Sequence, residues 1–195
     1  MSTLSTLFLL VFFVISANAR VKIAVFDSPL THSHAQKIHQ FLKEKLKSCH
    51  CTYVHHAIYN TSGTIDLEAF LKGLKSIDES YQIVHLSWNL PYSSKFDAII
   101  KELNRIADQG IRVVAASGES QERSEIALAL HDTVMGKVRN AILVGELDKK
   151  GKLPLNAFFG PEMKARYPSV PGKPGSSFTA VLETAKIALS LKPSR

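Results

Sequence analysis

Cysteine is nearly missing from this chain of 195 residues, which has only Cys49 and Cys51. That scarcity excludes a small fold stapled by several disulfides, and a bridge between positions two apart is disfavoured by geometry. With His50, His55 and His56 the pair raises the question of a metal site. Strand alternation argues against one, because it sends Cys51, Tyr53 and His55 to one face and His50, Thr52, Val54 and His56 to the other. No metal is expected.

Long apolar runs are also lacking. The longest, "LFLLVFFVI", is about nine residues and too short to span a bilayer. It precedes Ala17-Asn18-Ala19, a small-x-small pattern, so residues 1–19 read as a cleavable signal peptide and 20–195 as the mature domain. The expectation is a secreted or periplasmic protein with no stable membrane span after cleavage. No arginine-rich stripe with interleaved aromatics occurs. The formal charge of +7, from 24 Lys and Arg against 17 Asp and Glu, therefore reads as a solvated basic surface, not a nucleic-acid interface.

What the chain does have is alternation. "VKIAVFD" (21–27), "CTYVHHAIY" (51–59), "YQIVHLS" (81–87), "IRVVAAS" (111–117) and "NAILVGEL" (140–147) predict five strands. Helical spacing separates them. Ser33 and Gln36 fit a capping box ahead of His34, Ile38, Phe41 and Leu42. Leu67, Phe70, Leu71 and Leu74 mark a second helix, and "KFDAIIKELNRIADQG" a third that ends at Gly110. Further helices are expected over 121–131 and 178–191, with a turn region around Gly151. This order predicts an α/β fold of three layers, a mainly parallel sheet with helices on both faces.

Ligands of open parallel sheets bind beyond the carboxyl ends of the strands. Those ends are polar here: Asp27-Ser28, Ser87-Trp88-Asn89 and Ser117-Gly118-Glu119. The last helix opens on Ser176-Ser177 after two Pro-Gly pairs. Serines at that place cap helices as a rule, yet a serine beside orphan N–H groups can also serve as a nucleophile. An acid, a histidine and a serine then surround one rim of the sheet, the inventory of a nucleophilic triad.

Five blocks resemble the subtilisin-like serine protease family. "IAVFDSPL" resembles its strand ending in the catalytic Asp, "SHAQKIHQFL" its catalytic His block, "GIRVVAASGES" the strand leading to the oxyanion-hole Asn, and "GSSFTA" the nucleophile block. "IVHLSWNLP" is similar to the strand that lines the family's substrate cleft. The resemblance implies Asp27, His34 and Ser177 as catalytic residues, Glu119 at the oxyanion hole, and Ser87, Trp88 and Asn89 against substrate. His32 is the alternative base.

This chain departs from the family pattern at several points. Six residues separate Asp27 from His34, Pro29 and Ala35 replace glycines, and Glu119 replaces the asparagine. An ionised carboxylate repels an oxyanion, so Glu119 must be protonated to help, or Ser120 or Asn156 must stand in. No pro-segment or calcium loops are expected. The resemblance implies an exported endopeptidase that acts on peptides or proteins as a monomer without cofactor. The alternative is an impaired pseudoprotease that binds peptides.

Overall fold

The structure is a computed structural model and describes residues 21–60, 62–120 and 128–191. The signal-peptide reading of 1–19 lies outside them. Ten main elements follow in order: β1 (Val21–Asp27), α1 (Ser33–Lys45), β2 (Cys51–Ala57), α2 (Leu67–Lys75), β3 (Ile83–Leu86), α3 (Asp97–Asp108), β4 (Arg112–Ala116), β5 (Ile142–Leu147), β6 (Met163–Pro168) and α4 (Ser176–Ser190). The strands form one parallel sheet of order β2-β1-β3-β4-β5-β6.

Strand parity builds the three layers. Ala24 and Phe26 of β1, Val84 and Leu86 of β3, and Val113 and Ala115 of β4 pack with Phe70 and Leu74 of α2 and Leu103 and Ile106 of α3. Their neighbours Ile23, Val25, Ile83, Val114 and Ala116 face the other way, against Ile38 and Leu42 of α1 and Val181 and Ala185 of α4. Both faces are covered, which is why the central strands read as unbroken apolar runs.

Two expectations need correction, a third falls mostly outside the described residues, and one strand was not foreseen. Cys49 and Cys51 are joined in a disulfide, so neither thiol is free to ligate a metal. Helix α1 is capped by His32, whose Nδ1 accepts the His34 backbone N–H at 3.3 Å, and Ser33 is its first residue instead of its cap. The expected helix over 121–131 lies mostly outside the described residues; of its end, Leu130–Asp132 forms a single 3₁₀ turn. Strand β6 was not expected. It is an edge strand reached through a register shift at Leu143/Val144, and its exposed Lys164 alternates with half-buried Ala165. The turn at Gly151 forms as expected, with Asp148 and Lys152 paired across it.

Candidate active site

The carboxyl ends of β3, β4 and β5 point toward the first turn of α4. Between them lies a cleft of ≈ 1030 Å³. Ser87, Trp88 and Asn89 line it from the end of β3, Gly118, Glu119 and Ser120 from the end of β4, Glu146 from β5, and Gly175, Ser176 and Ser177 from the start of α4.

A backbone zipper shapes the floor. The segment after β4 pairs with the loop 156–158: Ser120 donates its N–H to Asn156 O, and Phe158 donates to Gly118 O. The Asn156 amide returns a bond to Ser120 O at 3.0 Å. Gly118 has φ +86°, and a Cβ there would meet the Phe158 ring at 2.8 Å, so both the turn and the packing require glycine. Asn89 is consumed in the same frame. Its amide donates to Ser117 O and Thr133 Oγ1, and its Oδ1 accepts from Leu90 and Met135. The Asn89 side chain therefore orders the cleft wall, and both of its amide N–H donors are already used. Trp88 is buried against Phe70 and Phe96.

Of the two serines, Ser176 is buried and its Oγ accepts the Gly118 N–H at 3.1 Å. Ser177 is half-buried in the cleft, and its Oγ donates to Ser87 O at 2.7 Å. The ring of His34 meets that of Phe178 edge-on, with centroids 5.9 Å apart, which seats His34 beside the first turn of α4. Asp27 is buried at the end of β1. Its Oδ1 accepts the Ser28 N–H at 2.6 Å, while its Oδ2 is buried and unpartnered. Asp27 thus stands at the carboxyl end of β1, His34 in the first turn of α1 and Ser177 in the first turn of α4. No hydrogen bond joins Asp27 to His34 or His34 to Ser177.

Below the serines lies a polar column. His85 is fully buried, with Nδ1 on Thr184 Oγ1 at 2.8 Å and Nε2 on Ser87 Oγ at 3.0 Å. Burial pushes its imidazole down to about 4, so it is neutral across the physiological range. Burial also lowers His55, whose Nε2 lies 2.9 Å from Ser28 O, and His56, which stacks on Phe26. Tyr59, on the cleft wall, is raised to about 12 by burial and by Asp27.

The start of α4 has no side-chain cap of its own, since its N-cap is Gly175. Two carboxylates supply one from outside. Glu146 Oε2 accepts the Gly175 N–H at 2.9 Å, and Glu119 Oε2 accepts the Ser176 N–H at 3.4 Å. Gly175 has φ +110°, and a Cβ there would lie 3.1 Å from Glu119 Oε1. Partial burial raises the Glu119 carboxyl above its usual range, and Glu146 adds to this; its bonds to Ser176 and the nearby His34 oppose the shift. Because Glu119 opens onto the cleft, solvent limits the effect.

Glu146 was not a candidate in the sequence. It sits inside "NAILVGEL", which reads as a buried strand, and the available signal was a lone acid in an apolar run. Among the described residues, no group of three or more His, Cys, Asp or Glu could hold a metal ion, and no helix is long and apolar enough to cross a membrane.

No protein-family model and no curated protein matches the chain. Solved structures do. It is similar to a cold-adapted subtilisin-like serine proteinase, with TM-score 0.66 and 13% identity over 89% of this chain and 76% of that one. A lanthipeptide protease aligns with TM-score 0.70 and 13% identity over 88% and 73% of the two chains. The PatG macrocyclase, solved in complex with peptide, aligns with TM-score 0.55 and 10% identity over 88% and 76%. At these identities the likeness is one of fold, and the fold of this chain is subtilisin-like.

Proposed function

We propose that this chain, built on the subtilisin-like fold, is an exported serine endopeptidase. Ser177 Oγ attacks the scissile carbonyl, His34 takes the hydroxyl proton and returns it to the leaving amine, and Asp27 orients His34. The Ser177 backbone N–H, at the positive end of α4, faces the developing oxyanion. The substrate peptide extends along Ser87, Trp88 and Asn89.

The observation that carries this reading is the seating of the His34 ring on Phe178, the residue that follows Ser177. The buried, unpartnered Asp27 Oδ2 supports it as the acceptor that an imidazole N–H would fill. Reaction requires the Ser177 hydroxyl to leave Ser87 O and turn toward His34. Labelling with a fluorophosphonate from acidic to mildly alkaline pH tests the assignment. A covalent adduct lost in Ser177→Ala is expected, and folded protein with no Ser177-dependent adduct at any pH overturns it.

A second reading has its own observation. Two carboxylates, Glu119 and Glu146, occupy the anion-binding end of α4, where an oxyanion would need donors. On this reading the chain keeps the cleft to bind peptides without cutting them.

A further inference from the structure

Among the described residues, the charged side chains that line the cleft are of the opposite sign to the net charge of the chain. The formal net charge is +7, yet among the described residues the only charged side chains lining the cleft are Glu119 and Glu146. They come from different elements, the end of β4 and the end of β5, and converge on the consecutive N–H groups of Gly175 and Ser176 where α4 begins. Their surroundings differ. Glu146 is 8% exposed, and its Oε1 is buried with no hydrogen-bond partner. Glu119 is exposed to the cleft. A buried carboxyl oxygen without a partner is an uncompensated group, and the donors that reach the pair are two backbone N–H groups and the Ser176 side chain, none of them on Glu146 Oε1. A cationic donor entering the cleft would meet both carboxyls.

We propose that the cleft recognises its peptide through a basic side chain, Lys or Arg, seated on Glu119 and drawn by Glu146 beneath it. This rests on the peptide-cleft reading above and not on hydrolysis by Ser177. Arginine suits the site better than lysine. Its planar guanidinium is weakly hydrated, presents five donors, and can lie against an aromatic face while it meets a carboxylate; Tyr59 and Phe158 supply that wall. Other titratable groups around Glu119 are His34 on α1 and Glu146 on β5. The phenol of Tyr59 stays neutral, so it offers no competing charge. A guanidinium on Glu119 would also neutralise the carboxylate that otherwise repels an oxyanion beside Ser177. The residue that looks damaging for catalysis then becomes a filter for cationic substrates.

The test uses Ser177→Ala, so that binding is read without cleavage, and fluorescence anisotropy at low salt. Three acetyl- and amide-capped peptides differ at one residue, which is Arg, citrulline or norleucine; a fourth is the norleucine peptide with a free N-terminus. The Arg peptide should bind at least about tenfold tighter than the citrulline peptide, a difference of about 1.4 kcal/mol. The preference should shrink as salt rises and vanish in Glu119→Gln. Equal binding of Arg and citrulline peptides overturns the proposal. So does a preference that survives Glu119→Gln combined with Glu146→Gln, tighter binding of the free-amine peptide than of the Arg peptide, or no binding of any of the four. An Arg preference without fluorophosphonate labelling keeps the cationic subsite and removes the hydrolase; labelling without the preference does the reverse.

Discussion

The hydroxyl of Ser177 donates to the backbone carbonyl of Ser87 at 2.7 Å, not to an imidazole. The proposed nucleophile is thereby held against the strand along which a substrate backbone would run. Its neighbour Ser176 has a different task, because its Oγ receives the buried Gly118 N–H.

The two serines therefore separate by experiment. Ser177→Ala should abolish fluorophosphonate labelling and leave the urea midpoint nearly unchanged. Ser176→Ala should keep the label but strand a buried donor, which costs about 1–3 kcal/mol of stability. Labelling gels and urea unfolding curves on both variants check this pair of outcomes.

Glu119→Asn distinguishes the two functional readings. If the chain is a peptidase limited by a carboxylate at its oxyanion position, a neutral donor should raise kcat by roughly 10²–10³-fold. Stopped turnover assays on a capped peptide library measure it. No gain, in a variant that still folds and binds, favours the peptide-binding reading.

His85 sets an acid limit on the fold. In the folded chain its imidazole is held down to about 4 by burial, against about 6.5 when unfolded. The unfolded state thus binds more protons between these values. The contribution is complete above about 6.5 and is lost as pH falls toward about 4, on the order of 3 kcal/mol in all. His55 and His56, also lowered by burial, act in the same direction. Urea midpoints across this window should fall with acidification, and the slope should flatten in His85→Asn.

Gly175→Ala meets two obstacles, a φ of +110° and a new Cβ 3.1 Å from Glu119 Oε1. We expect at least about 1 kcal/mol of destabilisation and displacement of the Glu119 carboxylate. Thermal unfolding gives the first, and a weakened response of peptide affinity to salt gives the second.

Much of the architecture was legible in the sequence because the central strands are covered on both faces. "VKIAVFD" could hardly be anything else once helical spacing follows it, and "IRVVAAS" carries the same unbroken apolar run. β6 was hidden because an edge strand with Lys164 and Arg166 lacks that apolar signature, and its pairing depends on a register shift in β5. The site divides similarly. The strand ends and helix starts offered an acid, a histidine and a serine, and the family resemblance singled out Asp27, His34 and Ser177 among them. Glu146 was not, since only tertiary packing brings an acid from β5 onto the N–H of Gly175. The disulfide of Cys49 and Cys51 was misjudged for a related reason: spacing alone says nothing about how the chain bends between the end of α1 and the start of β2.

The link between β1 and α1 is only five residues long, and it folds back on itself where the His32 N–H meets Pro29 O at 2.8 Å. The acid and the imidazole of the proposed relay therefore flank one short, internally hydrogen-bonded turn, while the serine is carried by the far end of the chain on α4.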